Sequence, residues 1–179
     1  MANWAIDTGH SAIDFSVRHM MFGRTSGRFA RFSGDLRLDP DDLKRSSVDV
    51  TIDASSIDTN DAERDAHLRS PDFLDVEKFP TLTFRSTRVE DLGEGRLRVF
   101  GQLTIHGVTR DVVLDTEYGG RVRDPWGNDR AGFSARTSVD RTEFGLKWNL
   151  ALETGGIVVG NKVDIEIEIE AVQAAAKAA

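Results

Sequence analysis

The ten residues VDIEIEIEAV, 163 to 172, leave little choice of conformation. Val163, Ile165, Ile167 and Ile169 fall on one face of an extended chain, and Asp164, Glu166, Glu168 and Glu170 on the other. A period of two is the mark of a half-buried β-strand. The same phase recurs in Ile13, Phe15 and Val17, in Phe32, Gly34, Leu36 and Leu38, and in Val48, Val50 and Ile52. It continues through Leu82 and Phe84, then Leu97, Val99, Gly101, Leu103 and Ile105, then Val112, Leu114 and Tyr118, then Ala131, Phe133, Ala135 and Val139. Eight strands are strongly patterned, and a weaker one surrounds Trp4 and Ile6. Each has one wet and one dry face, which is the antiparallel signature.

Such strands must stack as a sandwich or close as a barrel. Turn chemistry fits either plan. LGEG at 92–95 and HGVT at 106–109 read as tight connections, with Gly107 available for a positive φ. DPDD at 39–42 and DPWGN at 124–128 are further turns. A barrel of about eight strands has just enough interior for side chains or one ligand. The dry faces include the small residues Gly34, Gly101, Ala131, Ala135 and Thr137. They either leave room for a ligand or offset Phe32, Phe84 and Phe133 in a tapering core, and alternation alone does not choose.

ERDAHLRSPDF, 63 to 73, is the one good helix candidate and also the stretch most like an active site. Local structure accounts for most of its charge. Asn60 can cap the helix with Glu63 three residues on, as in a capping box. Asp61 and Glu63 suit the first turn. Asp65 and Arg69 are spaced for an i,i+4 ion pair. Ser70-Pro71 stops the helix. Leu68 and Phe73 are its apolar anchors, and Arg64 and His67 are left without a role.

Other chemistry is sparse. The 179 residues suit one domain, expected over 1–172, with a frayed tail over 173–179. There is no cysteine, which excludes disulfides, thiolate metal sites and a cysteine nucleophile. The formal net charge of −7 disfavours non-specific binding to nucleic acid or to an anionic surface, although Arg24, Arg28, Arg31, Arg37, Lys44 and Arg45 make the early region locally basic. No window reaches the roughly 20 apolar residues of a membrane span, and the start does not read as a secretory signal. A soluble, cytoplasmic protein is expected. His10, His19, His67 and His106 show no metal-ligand spacing. His10 with Ser11 and Asp14 lacks a nucleophile elbow, and neighbours on a strand point apart. HMMFG at 19–23 is apolar outside any clean strand phase and is a candidate cap for a barrel mouth.

Several motifs then occur together: DTGHSAIDFSVRHMMFGRTSGRF, SSIDTNDAERDAHLRSPDFLDVEKFPTLTF, GQLTIHGVTRDV, DPWGNDRAGFSA, RTEFGLKWN and VVGNKVDIEIEIE. In this order, over residues 3 to 170, they resemble the YceI-like proteins. The resemblance implies an all-β fold with one inserted helix, an extended eight-stranded antiparallel lipocalin-like barrel. It implies no enzyme activity and no metal. It implies a long apolar ligand in the barrel: a polyisoprenoid, an isoprenoid quinone or a fatty-acid-like chain. Leu74 and Glu143 depart from the family's usual Phe and Asp without closing the pore.

Carried onto this chain by phase, the implied ligand-binding residues are Phe15, Val17, Phe32, Phe84, Leu103, Phe133, Trp148, Ile165 and Ile167, with His19, Arg18 and Thr104 near a head group. No cofactor is implied beyond a bound polyprenyl lipid or quinone, and a homodimer through the loops and strand rims is expected. The competing reading is an enzyme acting on a small or lipid substrate through His10, His19 or His67.

Overall fold

The computed structural model describes residues 1–153 and 155–173. All strand pairs are antiparallel, and the described chain runs β1 (Ala2–Ile6), β2 (Ala12–His19), β3 (Gly23–Phe29), β4 (Phe32–Leu38), β5 (Ser47–Asp53), β6 (Ile57–Asp58), α1 (Ala62–Arg69), β7 (Thr81–Gly93), β8 (Arg96–Ile105), β9 (Val108–Arg123), β10 (Asp129–Asp140) and β11 (Val159–Gln173). The order around the sheet is β1-β4-β5-β7-β8-β9-β10-β11, and β11 pairs back onto β1. The result is a closed eight-position barrel with one helix.

Two of the eight positions are filled by broken strands. β1 and β2 lie end to end against β11, with Ile6 opposite Ala171 and Ala12 opposite Glu168. β3 and β4 lie end to end against them, β3 on β2 and β4 on β1. The two-residue β6 extends the β3 edge. β3, GRTSGRF, escapes the pattern reading because it is polar and because Gly27 stands where an inward side chain belongs. A Cβ on Gly27 would sit 2.5 Å from Phe15 Cζ, so the Phe15 ring takes that space. The weak early strand is the seam of the barrel. Trp4 is only 2% exposed and packs with Leu36, Leu38, Ala131 and Ala171.

The tight connections match the turn reading. Glu94-Gly95 and His106-Gly107 join paired strands with φ values of 55°, 77°, 55° and 72°, the primed turn that suits strand twist. The two ends of the barrel differ. Ala2, Gln173, the β4–β5 loop and the β7–β8 and β9–β10 turns lie at one. The β2–β3 and β8–β9 turns, α1 and the segment between β10 and β11 lie at the other, called here the helix end. The expected frayed tail lies outside the described residues, except that Gln173 belongs to β11.

The helix forms with different contacts from those its spacing predicts. Asp61 is the N-cap, accepting from Arg64 N–H at 3.0 Å, while Asn60 adopts a left-handed φ of 63° before it. Asp65 does not pair with Arg69. It turns inward, 8% exposed, and accepts from Thr59 N–H at 2.9 Å and the Thr59 hydroxyl at 2.5 Å. Arg64 completes this knot, donating to Thr59 Oγ1 at 2.8 Å and Thr59 O at 2.6 Å. His67 Nε2 lies 2.9 Å from Asp72 Oδ2, and its ring meets Phe73 and Trp148 edge-on at 5.1 and 4.7 Å. The charged stretch is therefore a lid fastened to Thr59, just after β6, and to the segment after β10.

Candidate functional site: the barrel interior

The inward side chains line a cavity of about 290 Å³. That is the low end of the range for small-molecule pockets, about 300 to 1,000 Å³. Its shape matters more. On β11 alone the lining runs from Val159 through Val163, Ile165 and Ile167 to Ile169; an irregularity between Val159 and Val163 takes up two residues, which leaves about 26 Å of ladder at roughly 3.3 Å per residue. At the helix end Leu68, Phe73, Leu74, Phe144 and Leu146 line it, at the other end Leu38, Leu43 and Val48 do, and it is only partly closed off from solvent. So small a volume between such distant walls is a narrow tube, shaped for a chain.

The few polar lining groups are mostly spoken for. Ser86 Oγ accepts from Val48 N–H at 2.9 Å, and the Thr116 hydroxyl donates to Leu114 O at 3.1 Å. Arg141 is the exception in kind, a lining guanidinium only 4% exposed. It donates to the carbonyls of Leu146, Trp148, Gly160 and Val159 at 2.6, 3.0, 2.8 and 3.3 Å. Burial lowers its pKa from the usual arginine value. No carboxylate lies within 4.0 Å of it among the described residues. It clamps the irregular segment after β10 over the helix end. Nothing in RTEFGLKWN announced a buried arginine, because a pattern rule places arginine on the surface by default.

Phe15, Val17, Phe84, Leu103, Phe133, Ile165 and Ile167 are on the cavity wall. Three residues named with them are not. Phe32 opens β4 just past the break after β3, and packs half-buried on the core without reaching the cavity. His19 has the inward phase but ends β2, where the wall has run out and the side chain is exposed. Trp148 stands outside the tube, against His67 and 5.3 Å from Phe73. Of the head-group candidates, Arg18 is exposed beside His19, and Thr104 faces outward, its hydroxyl 2.7 Å from that of Thr109.

The small residues divide. Ala135 and Thr137 line the cavity. Gly34 and Gly101 do not leave space: a Cβ would lie 2.6 Å from Ile6 Cδ1 at Gly34 and 2.4 Å from Phe84 Cζ at Gly101, so both are seats for neighbouring side chains. Ala131 is 1% exposed in the seam core.

The histidines do not converge. None lines the cavity among the described residues. His10 sits by Asp7 and Glu170, toward the C-terminal end of β11, while His19 is opposite Val159 at its start. Asp7, His10 and Glu170 could together offer ligands to a metal. Arg130 already fills that position, its Nη1 donating to Asp7 Oδ2 at 2.8 Å and Glu170 Oε1 at 2.7 Å while Nε donates to Asp124 at 2.8 Å. These bonds hold the carboxyls of Asp7 and Asp124 below the usual carboxylate range.

The sequence profile of the YceI-like domain matches residues 4–171. The chain belongs to the YceI-like family. A UPF0312 protein of Vibrio cholerae is 42% identical over 176 residues, 96% of this chain and 88% of that protein. The crystal structure of a Campylobacter jejuni YceI protein is similar at 29% identity, with a TM-score of 0.76 over 88% of this chain and 90% of that one. BcnA of Burkholderia cenocepacia shares the fold, at 23% identity and a TM-score of 0.82 over 92% and 98% of the two chains. So does a polyisoprenoid binding domain from Saccharophagus degradans, at 15% identity and a TM-score of 0.69 over 97% and 100%. No described helix is long and apolar enough to cross a membrane.

Proposed function

We propose that this protein binds a long apolar chain inside the barrel and stores or carries it. The ligand classes are a polyisoprenoid, an isoprenoid quinone or a fatty-acid-like chain, and the compartment is the cytoplasm. The observation that carries the reading is the narrow apolar tube lined along β11 from Val159 to Ile169. The description of the Saccharophagus domain as polyisoprenoid binding supports it at the level of the fold. Magnitudes agree. Ten to fifteen buried methylenes supply about 8 to 12 kcal/mol gross, at about 0.8 kcal/mol each. Association costs about 4 kcal/mol or more, so only a long tail binds tightly.

Catalysis through His10, His19 or His67 has less support, since the three are dispersed and none faces the tube. The deciding experiment is organic extraction and mass spectrometry of protein purified without detergent, with fractionation to locate it and sedimentation to test for a homodimer. A tube that neither retains nor takes up any chain lipid would end the proposal. Turnover abolished by a His→Ala change with binding intact would replace it.

A further inference from the structure

We propose that the β2–β3 tip is a docking element that seats the helix end of the barrel on a phospholipid bilayer containing anionic lipid. The tip is three apolar residues in a row, and all face water: Met20 is 43% exposed, Met21 56% and Phe22 90%. Leu150, 57% exposed, joins them through the backbone, since Met20 N–H donates to Val158 O and Val158 N–H donates to Leu150 O. Met20 and Met21 hold φ values of 50° and 68°. An Asn-Gly pair would make a tight turn here with less strain and better solvation. Met21 rests against Gly156 in the segment before β11, whereas Phe22, the most exposed of the three, is no part of the core.

The surroundings select the partner. Residues 18–24 carry Arg18, His19 and Arg24 and no acid, although the net charge of the chain is −7. Arg24 is held 2.7 Å from Asp164, while Arg18 makes no ion pair among the described residues. Apolar side chains at a tip with cations just behind them fit an interface whose apolar layer lies under phosphate groups. A stable protein partner needs about 800 Å² and some 20 residues a side, far more than this tip offers. The other exposed aromatic, Trp126 at 82%, is on the opposite end of the barrel, in a turn whose acids Asp124 and Asp129 are already paired with Arg130 and Arg123, and it serves as the comparison site.

Position gives the tip a use. Val17 and Val159 line the tube, and His19, paired with Val159, is the last residue before Met20. Docked there, the rim of the tube faces the bilayer, and an apolar chain could pass without crossing water. That use extends the lipid-carrier reading, whereas docking itself does not depend on it.

The test is co-sedimentation with vesicles of phosphatidylcholine alone and of phosphatidylcholine mixed with phosphatidylglycerol. The whole chain should bind the mixed vesicles better, and less so as salt rises. Phe22→Ser should lower the partition about tenfold or more, with the thermal melt and the extracted lipid unchanged. Trp126→Ser should leave binding as it was. Full binding by Phe22→Ser, loss of binding by Trp126→Ser instead, or a tip-dependent dimer with no vesicle binding would each overturn the proposal. Phe22-dependent docking by a protein that carries no lipid would uphold it and remove the carrier reading, so the two fail separately.

Discussion

Asp65→Ala tests whether the charged helix is a lid or a catalytic element. The carboxylate is buried and accepts both donors of Thr59, a residue itself only 5% exposed. Alanine leaves the Thr59 N–H without its partner, at about 1–3 kcal/mol for a buried orphan, and removes a second, charge-assisted bond from the hydroxyl. Arg64 still holds Thr59 Oγ1 and O, so the knot loosens without dispersing. The sum is about 3 kcal/mol. In a chain of this size each kcal/mol moves the melting temperature by roughly 2–4 °C, so the variant should melt roughly 6–12 °C lower by calorimetry. Asp65 does not line the tube, and the lipid extracted per mole of protein should not change. Thr59→Ala should cost much less on the Asp65→Ala background than alone, since the two share one network. Arg69→Ala should be nearly silent, because no Asp65–Arg69 pair exists. An Asp65→Ala protein that melts within a degree of the parent but loses its lipid would refute the structural role.

Three further perturbations probe other parts of the barrel. Gly101→Ala places a Cβ 2.4 Å from Phe84 Cζ and 2.6 Å from Arg85 O; overpacking of this kind costs about 1–3 kcal/mol, and a neutral thermal melt would show that Gly101 is no seat. Ala135→Trp should reduce the extracted lipid while costing less stability than the same change at the seam residue Ala131, because only Ala135 borders open space. For Arg130, the partners Asp7 and Asp124 have folded pKa values below their unfolded ones, so the network stabilises the fold above about pH 4, the ordinary carboxylate value, and less as pH falls through the folded values. Arg130→Met should therefore melt lower than the parent at pH 7, with the gap closing toward pH 2 in a series of melts.

How much of this was legible in the sequence follows from what a period-two pattern encodes. It encodes face, and it found most of the inward side of β8, β10 and β11, but in β7 only Leu82 and Phe84, short of Ser86 and Val89. It does not encode depth. Phe32 and Phe84 share the same phase logic, yet only Phe84 reaches the tube; His19 continues the phase of Val17 past the end of the wall. Nor does it reveal what a small residue is small for: Ala135 borders the cavity, while Gly101 makes way for a ring. β3 shows no period-two pattern because its inward position is a glycine, and the strand of Trp4 is too short for its pattern to reveal how deeply that ring is buried. In the helix, spacing favoured a surface pair for Asp65, but the buried Thr59 amide needed an acceptor more than Arg69 needed a partner.

The seam has a consequence for how the molecule comes into being. Trp4 is opposite Gln173, so the ladder that closes the barrel joins the first and last described strands. While the ribosome is still holding the last strand, β1 and β10 both present unpaired edges to the cell, the state in which sheets add foreign strands. Contacts this distant in sequence also form late and slowly. The window before closure is the one moment when the future tube is an open trough, and a ligand met then would be enclosed without having to thread either end.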